Sequence, residues 1–138
     1  MGNQEQQLVV FELEEQKYAI PILEIQEIIR MVNITPVPKT DSFLEGVVNL
    51  RGNIIPVVNL RKRLGMRDKE HDNETRIIVV EFNEENLGVI VDKVLEVGRY
   101  SESEVEPPHV AGKNVEFLRG VIKKDKDLWL LFNLEKLL

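Results

Sequence analysis

The chain has 138 residues, of which 43% are hydrophobic and 30% are charged. This balance is typical of a soluble folded protein, and the length suffices for one ordinary domain or for two very small barrels with a shared core. The formal charge of -6 argues against a nucleic-acid partner, because phosphate backbones select a clustered excess of lysine and arginine. The absence of cysteine excludes a disulfide framework and thiol chemistry.

The sequence carries no sign of a membrane span or a signal peptide. Its longest apolar runs, such as Leu128 to Phe132, have the length of a strand, well below the roughly 18 residues that a spanning helix needs. The amino-terminal sequence MGNQEQQ lacks the apolar segment of a signal peptide. We therefore predict a cytoplasmic protein without direct membrane contact, whose association with any membrane depends on a partner.

The first predicted elements are two short strands. β-Branched and aromatic residues occupy positions 9–11, Leu13 continues the pattern, and the polar sequence EEQK that follows predicts a turn. A second strand is predicted where Tyr18, Ile20 and Ile22 alternate with smaller or polar neighbours.

The middle of the chain predicts a hairpin and the start of a helix. The sequence RGN, residues 51–53, stands between two apolar runs, and its glycine supplies the positive φ that a tight hairpin needs. Pro56 lies inside the second run, which indicates an edge strand or a bulge. Asn59 is a candidate N-cap of a short helix, as is Asn133 near the carboxyl end. The charged residues 67–75 predict a connector.

The chain contains an internal repeat. Residues 9–28 align without a gap with residues 78–97, and residues 46–64 align with residues 120–138. In the second block six residues recur in order, namely Gly46, Val47, Asn59, Leu60, Lys62 and Leu64 as Gly120, Val121, Asn133, Leu134, Lys136 and Leu138. A pair of prolines separates the blocks in both halves, in ITPVP and in VEPPH. Duplication explains these collinear blocks better than a general similarity of strands does, and the short, regularly spaced strands favour barrels or sandwiches.

The search for reactive groups yields few candidates. His71 lies in the charged connector and His109 follows two prolines, and neither has a partner at metal-ligand spacing. The sequence contains none of the motifs GxSxG, GxxxxGK[ST] and GxGxxG. Asp92 follows an apolar strand and could act as a general base, although a single acid at a strand end is usually a turn or capping residue. We therefore predict no catalytic residue, no metal and no cofactor, and a surface that serves other proteins.

Two features indicate where such a surface lies. Residues 25–32 place apolar side chains on both faces of a predicted strand, so either the second barrel or a partner has to cover one of the faces. Arg51 projects from the predicted hairpin at the position where the second repeat has Asp125. A solvated turn residue is the simpler interpretation of Arg51.

Four segments resemble the CheW-like coupling proteins of bacterial chemotaxis, namely ITPVP at 34–38, GVVNLRGNIIPVVNLRKRLG at 46–65, VDKVLEV at 91–97 and the final LFNLEKLL. The resemblance extends from about Gln7 to Leu138, and NLRG followed by IIPV is its most specific part. It implies an all-β fold of two SH3-like five-stranded β-barrels that arose by internal duplication, with short helices in the connections and at the carboxyl terminus. Residues 1–138 then form a single CheW-like domain, in which repeat 1 covers about 9–66 and repeat 2 about 76–138.

The resemblance also implies a function. Such a protein is a non-catalytic adaptor that couples methyl-accepting chemoreceptors to the histidine kinase CheA in signalling arrays at the inner face of the membrane. Its partners are the cytoplasmic tip of the receptor and the regulatory domain of CheA, and the free adaptor is a monomer. The receptor-binding groove of the family corresponds to Ile25, Ile29 and Val97, and its coupling ion pair corresponds to Glu27 and Arg51.

Other functions remain open from the sequence. A regulatory CheW-like module detached from a CheA-type kinase has the same fold, but the full-length match and the absence of kinase nucleotide motifs favour the adaptor. A small barrel that binds nucleic acid belongs to a different class, and the charge of -6 and the lack of a basic aromatic stripe count against it. An enzyme is the least favoured of the alternatives.

Overall fold

The computed structural model describes residues 4–38, 41–112 and 115–137. Strands dominate these residues, as predicted, in chain order β1 (Gln6–Leu13), β2 (Gln16–Pro21), β3 (Ile25–Arg30), β4 (Leu44–Leu50), β5 (Asn53–Asn59), β6 (Arg76–Phe82), β7 (Glu85–Val91), β8 (Lys93–Tyr100), β9 (Val105–Glu106), β10 (Leu118–Lys124) and β11 (Asp127–Phe132). Leu138, the last residue of the predicted second repeat, lies outside the described residues.

The helical segments are short. They are the α-helix α1 (Leu60–Arg63) and the 3₁₀ turns Ile22–Glu24, Glu102–Glu104, Pro108–Ala111, Val115–Phe117 and Leu134–Lys136. No helix in the described part of the chain is long and apolar enough to cross a membrane.

The strands form two sheets, one in each of two compact units. Unit 1 contains the described residues up to Leu23 and from Val94 onward, and unit 2 contains residues 24–93. The sheet of unit 1 has the order β8-β1-β2-β11-β10-β9, and the sheet of unit 2 has the order β3-β6-β7-β5-β4. The predicted all-β fold class, with short helices in the connections, is therefore confirmed. The sheet of unit 1 has six strands where five were predicted, because the two-residue strand β9 pairs with β10.

Each hairpin closes through a two-residue turn. The turn residues are Glu14-Glu15, Arg51-Gly52, Asn83-Glu84 and Asp125-Lys126. The backbone φ is positive at both residues of the first three turns, which is the geometry of a type I′ turn and fits the right-handed twist of the flanking strands. The predicted hairpin at RGN is one of them.

Each sheet combines strands from both sequence repeats. In unit 1, β2 pairs in parallel with β11, and Ala19 lies opposite Leu131. In unit 2, β7 pairs in parallel with β5, and Gly88 lies opposite Val57; these two pairs occupy equivalent positions in the repeat alignment. The opening hairpin of each repeat thus completes the sheet of the other repeat. The units therefore do not follow the repeat boundaries, and the internal duplication stays a prediction that the matching registers support.

Both repeats carry the same irregularity in their second hairpin. The register of β4 against β5 shifts between Leu44 and Gly46, and the register of β10 against β11 shifts between Leu118 and Gly120. A side chain has no room at either glycine. A Cβ atom on Gly46 would lie 2.1 Å from the carbonyl oxygen of Thr35, and one on Gly120 would lie 2.3 Å from Val105 Cγ1.

The predicted N-caps are present at the ends of β5 and β11. The Asn59 side chain accepts a hydrogen bond from the Lys62 N–H at the start of α1, and the Asn133 side chain accepts one from the Glu135 N–H. These bonds satisfy donors that the first turn of a helix leaves unpaired. The predicted short helices at NLRKRLG and NLEKLL are confirmed, the second as a 3₁₀ turn.

Each unit has its own apolar cluster. The cluster of unit 1 consists of Leu8, Val10, Ala19, Tyr100, Ile122, Trp129 and Leu131, and that of unit 2 consists of Val48, Ile55, Val57, Ile77, Val79 and Ile90. The alternation of β-branched and aromatic residues fills these clusters, because every second residue of a strand points to the same face.

Pro56 departs from its predicted setting. It lies in β5, an interior strand of the unit 2 sheet, opposite Val47 of β4. Proline has no N–H to donate to a neighbouring strand. The parallel pairing of β5 with β7 begins only at Val57, so β7 does not require a hydrogen bond from Pro56. The bulge lies on the neighbouring strand, at Gly46.

Candidate partner-binding site

The Arg51 guanidinium forms an ion pair with the Glu27 carboxylate in unit 2. Arg51 occupies the β4–β5 turn and Glu27 lies on β3, so the contact joins the turn to the opposite edge strand of the sheet. The Arg51 side chain is 72% exposed and that of Glu27 is 28% exposed. A pair with this much exposure contributes only about 0–1 kcal/mol to stability, so its charges remain available for a contact with another molecule.

The three residues of the predicted receptor groove lie on two strands. Ile25 and Ile29 belong to β3 in unit 2, and Ile29 packs against the unit 2 cluster. Val97 belongs to β8 in unit 1 and is 54% exposed. Ile28, which aligns with Val97 in the repeat, is also exposed. Their grouping into one groove stays a prediction.

Asp92, the one acid that the sequence left open as a general base, is held by Arg61. The Nε and Nη2 atoms of Arg61 donate to the two oxygens of Asp92 at 2.8 and 2.6 Å, and Nη1 donates to the carbonyl oxygen of Arg67 at 2.8 Å. The two side chains are only 14% and 11% exposed. This bidentate geometry is the strongest form of such a pair. No local sequence signal indicated it, because 31 residues separate the partners.

A second set of polar contacts joins the charged connector, residues 67–75, to β4 and α1. The Asn59 amide donates to Glu45 Oε1 and to Asp68 Oδ1, both at 3.1 Å, and Lys62 Nζ lies 2.9 Å from Glu45 Oε1. The hydrogen bond to Glu45 raises the pKa of Lys62. Partial desolvation raises the pKa of Asp68, but hydrogen bonds from Asn59 and from the Lys69 N–H, together with the Lys62 charge, outweigh it and lower that pKa. These charges stabilise the connector.

The two histidines lie in different settings, His71 in a small cleft and His109 in a 3₁₀ turn. His71 lines a small cleft together with Asn59, Arg61 and Asp92, in which the Asn59 amide is bonded to Asp68 and the Arg61 guanidinium is bonded to Asp92. His109 lies in the 3₁₀ turn Pro108–Ala111. Within the described ranges, no three histidine, aspartate or glutamate side chains are arranged to hold a metal ion.

Asp92→Asn is expected to lower the free energy of unfolding by about 2–3 kcal/mol, because it leaves the Arg61 guanidinium largely buried without its counter-charge. A urea titration followed by circular dichroism measures the change. Asp127→Asn is the matched control, since it removes the carboxylate from the exposed Lys17–Asp127 pair and should cost less than about 1 kcal/mol. Equal losses for the two variants would contradict the structural role of Asp92.

The two units expose the Glu27–Arg51 ion pair and the apolar side chain of Val97 on surface strands and turns. Asp92 and the Asn59 amide of the cleft are already bonded to other side chains. The candidate binding surfaces are therefore the surface strands and their turns.

Comparisons with known proteins identify the family. The CheW-like domain model matches residues 7–138. The chemotaxis protein CheW of Thermotoga maritima is 38% identical over 96% of this chain and 87% of that protein, and CheW of Helicobacter pylori is 32% identical over 96% and 81%. The crystal structure of the scaffolding protein TtCheW from Thermoanaerobacter tengcongensis superposes with a TM-score of 0.88 and 38% identity, over 95% of this chain and 86% of that one.

The chain belongs to the CheW-like family. The predicted function, that of an adaptor in chemotaxis, is confirmed at this level.

Proposed function

We propose that this chain is a non-catalytic adaptor that couples chemoreceptors to the histidine kinase CheA, and that it binds the two partners through different surfaces. The observation that carries the proposal is the Glu27–Arg51 pair, which lies at the surface and holds a charged group of little value for stability. A bridging protein needs two surfaces, because partners that share one site displace each other.

The receptor surface consists of Ile25, Ile29 and Val97 in this proposal. Val97 leaves more than half of its apolar side chain exposed, and β3 alternates half-buried with exposed residues along its length. An amphipathic helix binds such residues through its own apolar stripe. The cytoplasmic tip of a methyl-accepting receptor, a long helical hairpin, offers a stripe of this kind.

The kinase surface lies at the barrel ends in this proposal. The regulatory domain of CheA has the same fold in the family, so its strand edges match those of the adaptor. The free chain is a monomer, works in the cytoplasm and reaches the inner face of the membrane through receptor arrays. The absence of catalytic activity is supported by Asp92, since a carboxylate with both oxygens bound to Arg61 is a poor general base.

A regulatory module detached from a CheA-type kinase is the alternative. The curated relatives named above are CheW proteins, and this chain matches 81% and 87% of their lengths. That extent favours the adaptor.

Arg51→Ala tests the proposed role of the ion pair. Activation of CheA in the presence of receptors is expected to fall about tenfold or more, the loss that follows when a charged contact is removed. The free energy of unfolding should change by less than about 1 kcal/mol, because the pair is exposed. A phosphorylation assay with receptor fragment and CheA measures the first quantity, and a urea titration measures the second.

Lys69→Ala is the control for this variant. It also removes an exposed positive charge from unit 2, that of the Lys69–Asp72 pair, and it should leave activation unchanged. A large loss of stability with normal activation in Arg51→Ala would show that Arg51 is structural.

A further inference from the structure

The β4–β5 turn holds Arg51 in a backbone conformation that does not suit it. Arg51 has φ +50 and Gly52 has φ +86, and Leu50 lies opposite Asn53 in the ladder, so the turn is of type I′. Asparagine is the favoured first residue of such a turn, whereas a long side chain in the left-handed region is disfavoured. A side chain that bonds the turn therefore stabilises this geometry.

Asn49 supplies such a bond. Its side-chain oxygen Oδ1 accepts a hydrogen bond from the Gly52 N–H at 2.9 Å. The bond spans the turn from the residue that precedes Leu50 and fixes the peptide between Arg51 and Gly52. At the equivalent position of the β10–β11 hairpin stands Lys123, whose ammonium is paired with Glu106 and has no acceptor oxygen.

The orientation of this peptide sets the direction in which the Arg51 side chain leaves the turn. Arg51 meets Glu27 on β3, and β3 and β4 are the opposite edges of the unit 2 sheet. A rotation of the turn by a few tens of degrees would carry the end of the long Arg51 side chain away from this edge. An exposed ion pair is too weak to hold the turn by itself.

We propose that Asn49 is a positioning residue, which orients Arg51 for its contact with the partner by bonding the Gly52 N–H. This inference deepens the proposed function and rests on the role of Arg51 in it. Asn49 itself needs no contact with receptor or kinase.

The test uses the full chain with receptor fragment and CheA. In Asn49→Ala, activation should fall about fivefold, the equivalent of one lost hydrogen bond, and the Gly52 amide should exchange its hydrogen faster. Asn49→Asp keeps the acceptor oxygen and should restore both. Lys123→Ala, the control in the other hairpin, should change neither.

A double-mutant cycle separates positioning from other roles. If Asn49 acts through Arg51, then Asn49→Ala should cause no further loss of activation in the Arg51→Ala background. Loss of equal size in both backgrounds would overturn the proposal, as would unchanged Gly52 exchange in Asn49→Ala. If Arg51→Ala alone leaves activation intact, the proposed function of the pair fails. The positioning is then judged by the NMR signal of Arg51 Nε, which must shift in Asn49→Ala for the proposal to stand.

Discussion

Gly46→Ala is expected to lower the free energy of unfolding by more than about 4 kcal/mol, a loss at the extreme of single substitutions. The new Cβ would lie 2.1 Å from the Thr35 carbonyl oxygen and 2.9 Å from Pro36 Cα, at a residue with φ +147. Both neighbours are backbone atoms, so rotation of a side chain cannot relieve the clash. Thr35 is also bonded to Val47 through its N–H and its carbonyl, both at 2.9 Å. A urea titration followed by circular dichroism measures the loss.

Gly65→Ala is the matched control for this substitution. Gly65 has φ +77, but a Cβ there meets no atom within 4 Å, so only the cost of a left-handed alanine remains, about 1–2 kcal/mol. Gly120→Ala should resemble Gly46→Ala, because its Cβ would lie 2.8 Å from the Glu106 carbonyl oxygen. If Gly46→Ala were no worse than Gly65→Ala, the close approach of the chain at Thr35 would be wrong.

Val97→Glu is expected to abolish receptor binding while kinase binding stays within a few-fold of the unchanged chain. Val97 is exposed in the free chain, so the substitution itself leaves the fold intact. When an apolar receptor helix covers this position, an unpaired carboxylate has to be buried, which costs several kcal/mol and weakens binding by roughly a hundredfold or more. Calorimetric titration of the variant against each partner separately measures the two affinities.

Val110→Glu controls for the added charge. Val110 is also an exposed valine of unit 1, but it lies in the 3₁₀ turn Pro108–Ala111, away from the predicted groove residues in the sequence. It should leave receptor binding unchanged. Equal losses of receptor and kinase binding in Val97→Glu would mean a shared site, and the two-surface model would fail.

The strands and turns were predictable from the sequence, but their distribution between the sheets was not. Alternating apolar residues predict β1 and β2, and Gly52 predicts the turn between β4 and β5, since these features depend on neighbours along the chain. The two opening hairpins carry the same apolar pattern, however, so the pattern cannot tell which repeat each hairpin will join. The choice depends on pairs such as Ala19 with Leu131, which only the folded chain brings together.

The candidate site was predictable to a similar extent. Glu27 and Arg51 were named through the family resemblance, and the structure brings them into contact. The bidentate bond between Arg61 and Asp92 was missed, because its geometry depends on the directions of one side chain in α1 and another that follows β7, 31 residues apart in the sequence. Asn49 was missed for a different reason. Asparagine is common near turns, so its presence gave no indication that its side chain bonds the Gly52 N–H.

Each opening hairpin joins the sheet of the other repeat, so the order in which the strands are synthesised affects the order in which they pair. Unit 2 is continuous from Glu24 to Lys93, so all its strands are available once the middle of the chain has been synthesised. The β1–β2 hairpin is made before unit 2 and β11 is made after it; Lys17 and Asp127, which lie 2.7 Å apart, are separated by 110 residues. Closing so long a loop is slow, and an unpaired apolar edge is prone to aggregation in the meantime. The β1–β2 hairpin, although it is made before unit 2, is therefore among the last segments to reach its partner strand, β11.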